Sequence, residues 1–241
     1  MAICTNCGGN GIDIGGGRFR CQYCMNEFTE GYVASSSQRG SSPAGGVNVF
    51  DKNINGVLEI ACEVSGGISQ GSGLLIKKSG GFAVTNAHVV SERGTPSQRI
   101  SVKVAGETVR AKIVAIGRAG GSWSNDLAVL KLERVPQKAV EIKLADFRSV
   151  RNGEQVFVIG NSRGEGTCIT SGIVSDRLRS VDGHKLMMTD CAVNPGNSGG
   201  PIFNASGDAI GVIVSKTLDT EGMNYAIPAD TVIAFIQNAI R

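Results

Sequence analysis

From residue 47 onward the chain repeats one pattern: a short run of Val, Ile, Leu or Phe, then glycine, asparagine, aspartate or serine. Runs at 57–64, 73–77, 82–85, 100–104, 109–116, 127–132, 156–159, 168–174, 186–192, 210–214 and 225–227 are rich in β-branched residues and predict strands. No regular alternation of strand and helix separates them, so a parallel sheet is disfavoured and an all-β antiparallel barrel or sandwich is expected. One helix is predicted, over 231–240. Pro228 opens it, and Val232, Ile233, Phe235, Ile236 and Ile240 form its apolar stripe.

Composition agrees with a globular chain. Of 241 residues, 41% are hydrophobic and 19% charged, which excludes a mostly disordered or fibrous protein. Glycine is frequent, 34 residues, and without a collagen period, which suits many tight turns. Apolar runs fall far short of the roughly 18 residues a spanning helix needs, so no membrane partner is expected. The net charge of +3 is too small to argue for nucleic acid or acidic lipid. The start, Met1-Ala-Ile-Cys-Thr, has neither basic residues nor an apolar stretch, which places the chain in the cytoplasm.

The cysteines divide the chain. Cys4 and Cys7 form one C-x-x-C pair and Cys21 and Cys24 a second, 13 residues apart. Two such knuckles supply the four tetrahedral thiolates that zinc prefers, so residues 1–30 are expected to form a zinc ribbon. So short a segment cannot bury a useful core, whereas metal binding contributes on the order of 10 kcal/mol to folding. The competing reading is a pair of disulfides, which a reducing compartment disfavours. Arg18, Arg20 and Arg39 balance Asp13, Glu27 and Glu30 within residues 1–46, so a phosphate-gripping surface is not indicated and a protein partner is expected instead. Residues 31–46, largely Ser and Gly, read as a flexible linker to a second domain at 47–241. The other cysteines, Cys62, Cys168 and Cys191, all lie in apolar runs and are expected to be buried and inert.

Three motifs stand in order within 47–241. His88 follows an apolar run in Thr85-Asn-Ala-His-Val-Val, and Asp126 precedes one in Asn125-Asp-Leu-Ala-Val-Leu. Ser198 sits in Asn194-Pro-Gly-Asn-Ser-Gly-Gly-Pro201. Amide hydrolysis by serine needs a base for the hydroxyl proton, a carboxylate to orient that base, and backbone N–H groups for the oxyanion. Gly196 and Gly199 allow the sharp turn that would aim such groups. The other histidine, His184, fits a polar hairpin turn and is set aside.

With GSGLLI, VTNAHVV, NDLAVLKL, TDCAVNPGNSGGPIFN and MNYAIPAD, the region from Val47 onward resembles the trypsin-like serine proteases, specifically the HtrA (Deg) branch. The resemblance implies two six-stranded antiparallel β-barrels with the active site between them. His88 would be general base, Asp126 its orienter and Ser198 the nucleophile. The oxyanion hole would lie in the turn Gly196-Asn197-Ser198, formed by the N–H groups of Gly196 and Ser198.

The same comparison puts Ala192, six residues before the nucleophile, at the pocket floor where Arg- and Lys-selective relatives carry an aspartate. Ile213, Val214 and Ser215 would form a wall, and small or medium aliphatic residues would be preferred before the cut. Asn197 stands where digestive relatives carry an aspartate that pairs with a new N-terminus, so activation without N-terminal cleavage is expected. HtrA proteins usually carry an export signal and a C-terminal PDZ domain, and this sequence shows neither. They usually assemble as trimers through an N-terminal segment, a role that Phe50 could share. The rival reading is a catalytically silent zinc-ribbon adaptor on a protease fold.

Overall fold

A computed structural model describes residues 11–21, 27–29, 44–117, 125–214 and 223–240. The chain splits into two compact units, Met1–Ser42 and Pro43–Arg241.

In the first unit, β1 (Gly11–Gly15), β2 (Arg18–Cys21) and β3 (Glu27–Thr29) form an antiparallel sheet in that order. Gly15, Gly16 and Gly17 all take positive φ, which lets the chain reverse between β1 and β2. Gly11 pairs with Cys21, so the first strand begins where the second ends. Of the four expected zinc ligands, Cys4, Cys7 and Cys24 lie outside the described residues, and only the backbone of Cys21 lies within them.

The second unit opens with α1 (Ala44–Asn53), so the expected linker loses its last three residues to a helix. Two glycines make this a poor helix by propensity, and tertiary contacts form it instead. Val49 is buried in the core, and the buried Asn53 amide donates to Val49 O and Gly207 O, each at 3.0 Å.

Next come β4 (Val57–Val64), β5 (Gly67–Lys77), β6 (Phe82–Thr85), a small hairpin of β7 (Ser91–Glu92) and β8 (Thr95–Pro96), β9 (Ile100–Val104), β10 (Glu107–Ile116) and β11 (Ala128–Leu132). Six of these close a barrel, β10-β11-β6-β5-β4-β9. A second barrel follows, from β12 (Gln155–Asn161), β13 (Thr167–Val181), β14 (His184–Thr189), β15 (Pro201–Asn204), β16 (Ala209–Val214) and β17 (Asn224–Pro228), closed as β12-β13-β14-β17-β16-β15. The last element is α2 (Ala229–Ala239). The fold is thus two closed six-stranded antiparallel barrels with a C-terminal helix.

The apolar runs look continuous because many strands are buried on both faces. On β12, Val156 and Val158 point into the second barrel with Met187 and Ile202, whereas Phe157 and Ile159 join Leu74, Val84 and Val129 of the first. On β11, Val129 faces that shared layer and Leu130 the first barrel's interior. The seam between the barrels is therefore core, and the loops at its rim are held by both. Cys62 and Cys191 are buried as expected; Cys168 is exposed, because its end of β13 presents that face to solvent.

Candidate active site

β6 and β11 are antiparallel neighbours, and Thr85 pairs with Ala128. The end of one and the start of the other share an edge, so His88, three residues past Thr85, meets Asp126, two before Ala128. His88 Nδ1 lies 2.5 Å from Asp126 Oδ2, and the His88 amide donates to Asp126 Oδ1 at 2.9 Å. Asn86 steadies the same turn by donating to the Asp126 carbonyl at 2.8 Å. The Asp126 side chain is 12% exposed and that of His88 41%, an arrangement with the carboxylate sheltered and the ring open on its outer side. Donation from Nδ1 to the carboxylate leaves Nε2 as the lone-pair nitrogen.

Ser198 belongs to the turn between β14 and β15. Gly196 (φ +99°) and Gly199 (φ +83°) both lie in the left-handed region. Side chains are excluded there by space as well as by φ. A Cβ on Gly196 would overlap the Asn161 carbonyl, and one on Gly199 would overlap Ser72 O and Thr85 Oγ1.

That close approach carries Ser198 to the first barrel. The Ser72 amide donates to Ser198 O at 2.8 Å, and Gly71 lies between that oxygen and the side chain of Val89, the residue after His88. A Cβ on Gly199 would also stand 2.9 Å from the Asn86 amide nitrogen. The turn that bears Ser198 and the turn that bears His88 thus press on the same stretch of β5. Among the described residues Ser198 Oγ makes no hydrogen bond with His88; in empty active sites this contact commonly closes only around substrate.

The peptide planes of the nucleophile turn are pinned one by one. Because the C=O and N–H of a trans peptide point oppositely, fixing one aims the other. Pro195 O accepts from Arg163 N at 2.7 Å, which sets the direction of the Gly196 N–H. Asn197 O accepts from Gly200 N at 2.9 Å, which does the same for the Ser198 N–H. Neither N–H has a partner among the described residues. Asn197 is corrected out of the hole: its N–H donates to Asn194 O at 3.0 Å and is spent within the turn. Its side chain is buried, with Oδ1 lacking a partner among the described residues.

The specificity residues fare unevenly. Ala192 is exposed, its carbonyl accepting from Thr170 Oγ1 at 2.9 Å. Ile213 packs inside the second barrel with Met187 and Ala226. Pairing with Gly199 and Gly200 through its own N–H and C=O fixes that orientation. Val214 faces the other way and is buried in the layer between the barrels. Ser215 lies outside the described residues. His184 opens β14 just after the Asp182-Gly183 hairpin turn, as the sequence suggests.

Sequence reasoning missed Ser72, Asn161 and Arg163. Their only sequence signals are the short motifs Gly71-Ser72-Gly73 and Gly160-Asn161-Ser162, which name no chemistry on their own.

Comparison with known proteins fits this geometry. The model of the trypsin-like peptidase domain matches residues 71–212, more than half of the chain. A probable periplasmic serine endoprotease, DegP-like, from Brucella suis is 36% identical over 180 residues, covering 72% of this chain and 33% of its own. The periplasmic pH-dependent serine endoprotease DegQ of Escherichia coli is 33% identical over 178 residues, covering 70% and 37%. Among solved structures, the HtrA-type protease AlgW with a tripeptide matches at a TM-score of 0.70 and 29% identity, over 81% of this chain and 63% of that one. A serine endoprotease from Yersinia pestis matches at 0.69 and 26%, over 83% and 68%. The chain thus spans about a third of the length of these curated relatives.

The relatives are named as periplasmic, which overturns the cytoplasmic placement. That placement rested on the residues at the start of the sequence, which carry no such information. Two closed barrels, a carboxylate-bound histidine at their seam and a match over residues 71–212 show that the chain belongs to the trypsin-like peptidase family, with the HtrA/DegP-like serine proteases as its relatives.

Proposed function

We propose that the chain is an HtrA-type serine endopeptidase acting on unfolded protein segments. The carrying observation is the Asp126–His88 pair set against the same β5 stretch that holds the Ser198 turn. His88 Nε2 takes the proton of Ser198 Oγ as that oxygen bonds to the scissile carbonyl carbon. The oxyanion so formed accepts from the N–H groups of Gly196 and Ser198. As the intermediate collapses, His88 returns the proton to the departing amine, leaving an acyl-enzyme. Water then attacks the ester with His88 again as base, the Ser198 proton is restored, and the acid product leaves. Asp126 stays ionised throughout and stabilises the imidazolium.

Ala192 offers no carboxylate to a cationic side chain, and an unpaired buried cation costs several kcal/mol. Small or medium aliphatic residues before the cut follow; preferred cleavage after Arg would refute this. With Asn197 unable to form an ion pair with a new N-terminus, full activity is expected of uncut protein. A homotrimer is proposed from the family resemblance, and native mass spectrometry reads it directly.

The N-terminal unit is proposed to hold structural zinc. Four thiols are a fitting donor set, and the Gly11–Cys21 pairing marks the end of the sheet from which both cysteine-bearing segments run. With the cytoplasmic placement gone, the argument against disulfides goes with it, so thiol titration beside metal analysis distinguishes the two. A protein partner remains the proposed role of this unit.

A fluorophosphonate probe tests the central claim, in the presence of unfolded protein. Labelling that Ser198→Ala abolishes supports a working nucleophile; silence favours the adaptor reading.

A further inference from the structure

Ser72 uses every polar atom it has. Fully buried on β5, it donates from its amide to Ser198 O at 2.8 Å and accepts at its carbonyl from Thr85 Oγ1 at 2.6 Å. Its hydroxyl donates to Gly196 O at 2.7 Å and accepts from the Asn161 amide at 2.8 Å. One side chain of the first barrel therefore grips two separate backbone segments of the second. Gly196 carries one oxyanion N–H, and Asn161 opens the loop whose Arg163 amide holds Pro195 O.

We infer that Ser72 is a positioning residue: its hydroxyl clamps the Gly196 carbonyl and the Asn161 amide together and so holds the oxyanion turn in register with the His88-bearing barrel. The inference rests on the peptidase reading above.

The physical argument is one of replacement. When that hydroxyl is removed, the buried Asn161 amide has no water to turn to, and the half-buried Gly196 carbonyl loses its tie to the first barrel. In Ser72→Ala the Gly196–Asn197 peptide loses its hold from the first barrel, while the amide and carbonyl bonds of Ser72, which set the β5 contact, remain. The turn keeps its place but loses its aim. An oxyanion hole acts on the transition state more than on bound substrate, so the loss belongs in kcat.

Gly160 offers a second handle. A Cβ there would stand 2.8 Å from Ser72 Oγ and 2.9 Å from Asn197 Oδ1, and Gly160 is not among the residues of positive φ. Gly160→Ala thus pushes on the same hydroxyl from outside the catalytic residues.

The test measures peptide hydrolysis, a peptide boronate's inhibition constant and the unfolding midpoint for wild type, Ser72→Ala, Ser72→Cys and Gly160→Ala. Rates are normalised to sites titrated with fluorophosphonate, so a loss of folded protein does not count as a loss of rate. For Ser72→Ala we expect kcat to fall about ten- to a hundredfold, KM to hold within about twofold, and boronate affinity to fall in step with kcat. Ser72→Cys, which keeps the shape and a weak donor, should recover part of kcat, and Gly160→Ala should reproduce the split. If Ser72→Ala does not fold, Ser72→Cys and Gly160→Ala carry the same comparison.

An unchanged kcat, or losses that follow only the unfolding midpoint, would overturn the role of Ser72 while leaving the peptidase reading intact. A wild type that neither labels nor cleaves would bring down both.

Discussion

The first barrel holds its share of the site through side chains, and the second holds its share through backbone. His88 and Asp126 are fixed by bonds from a carboxylate to a ring nitrogen and an amide, and Asn86 braces the same turn. Ser198 is fixed by peptide planes: two glycines at positive φ and a chain of amide–carbonyl bonds through Arg163, Asn194, Gly200 and Ser72. The difference follows from the chemistry each half must perform. A base needs its proton placed on one ring nitrogen, which only a polar side chain can decide. An oxyanion hole needs several donors aimed at one point, which successive peptide groups supply without spending side-chain entropy. The first half should fail by losing a protonation state, and the second by losing a shape.

Replacing Asp126 by Asn separates the two cleanly, since size is kept and only the charge and acceptor pattern change. A drop in kcat of about 10⁴-fold is expected, from a wrongly held tautomer. The unfolding midpoint should move little, because neighbouring bonds such as that from Asn86 to the backbone carbonyl survive. A retained rate would mean that the first barrel does not act through this carboxylate.

Shape is probed by glycine. Gly199→Ala places a methyl group against Ser72 O and Thr85 Oγ1 at φ +83°, so the turn must move to accept it. Activity should fall on the order of 10²-fold, the usual penalty for a displacement of about 1 Å in a catalytic group. Gly106→Ala in the first barrel is the control: φ is +80°, yet no atom of the described residues lies within 4 Å of the added carbon. It should cost roughly 1–2 kcal/mol of stability, read by denaturant titration, and leave kcat unchanged. Equal losses of kcat in both variants would erase the distinction between the barrels.

The same distinction explains what the sequence shows and what it hides. His88, Asp126 and Ser198 stand out because each follows or precedes an apolar run in a recognisable phrase. Most barrel strands stand out too, because burial on both faces leaves long runs of Val, Ile and Leu. β15 escapes notice: Pro201–Asn204 is only four residues long and sits among turn formers, so its pairing with β12 and β16 comes from tertiary structure alone. Helix α1 is hidden for the same reason, as its glycines resemble a linker until Val49 and Asn53 find the second barrel. The opposite faces taken by Ile213 and Val214 are hidden too, because strand register, which decides the face a residue takes, is not written in composition. Ser72 was missed because a serine between two glycines looks like a turn until β12 arrives from 89 positions away in sequence.

The smallest expected effect lies where the second barrel does use charged side chains, far from the nucleophile turn. Asp208 meets Lys52 of α1 at 3.3 Å and Lys143 at 2.6 Å. Burial works against its charge, but the two ammonium groups outweigh that and hold the carboxyl below its ordinary value of 3.8. A carboxylate lowered by folding adds stability when ionised. That contribution is therefore complete above the ordinary value and is withdrawn as pH falls through the lower native one. Both lysines are more than half exposed, so each pair is worth about 0–1 kcal/mol and is screened by salt. Asp208→Asn should thus lower stability slightly at neutral pH, and its gap to wild type should close in acid, as pH falls through the lowered native value and the carboxyl itself protonates. Peptide turnover per titrated site should not change at all. Turnover that followed this titration would mean that side-chain charge governs the second barrel's half of the site as well.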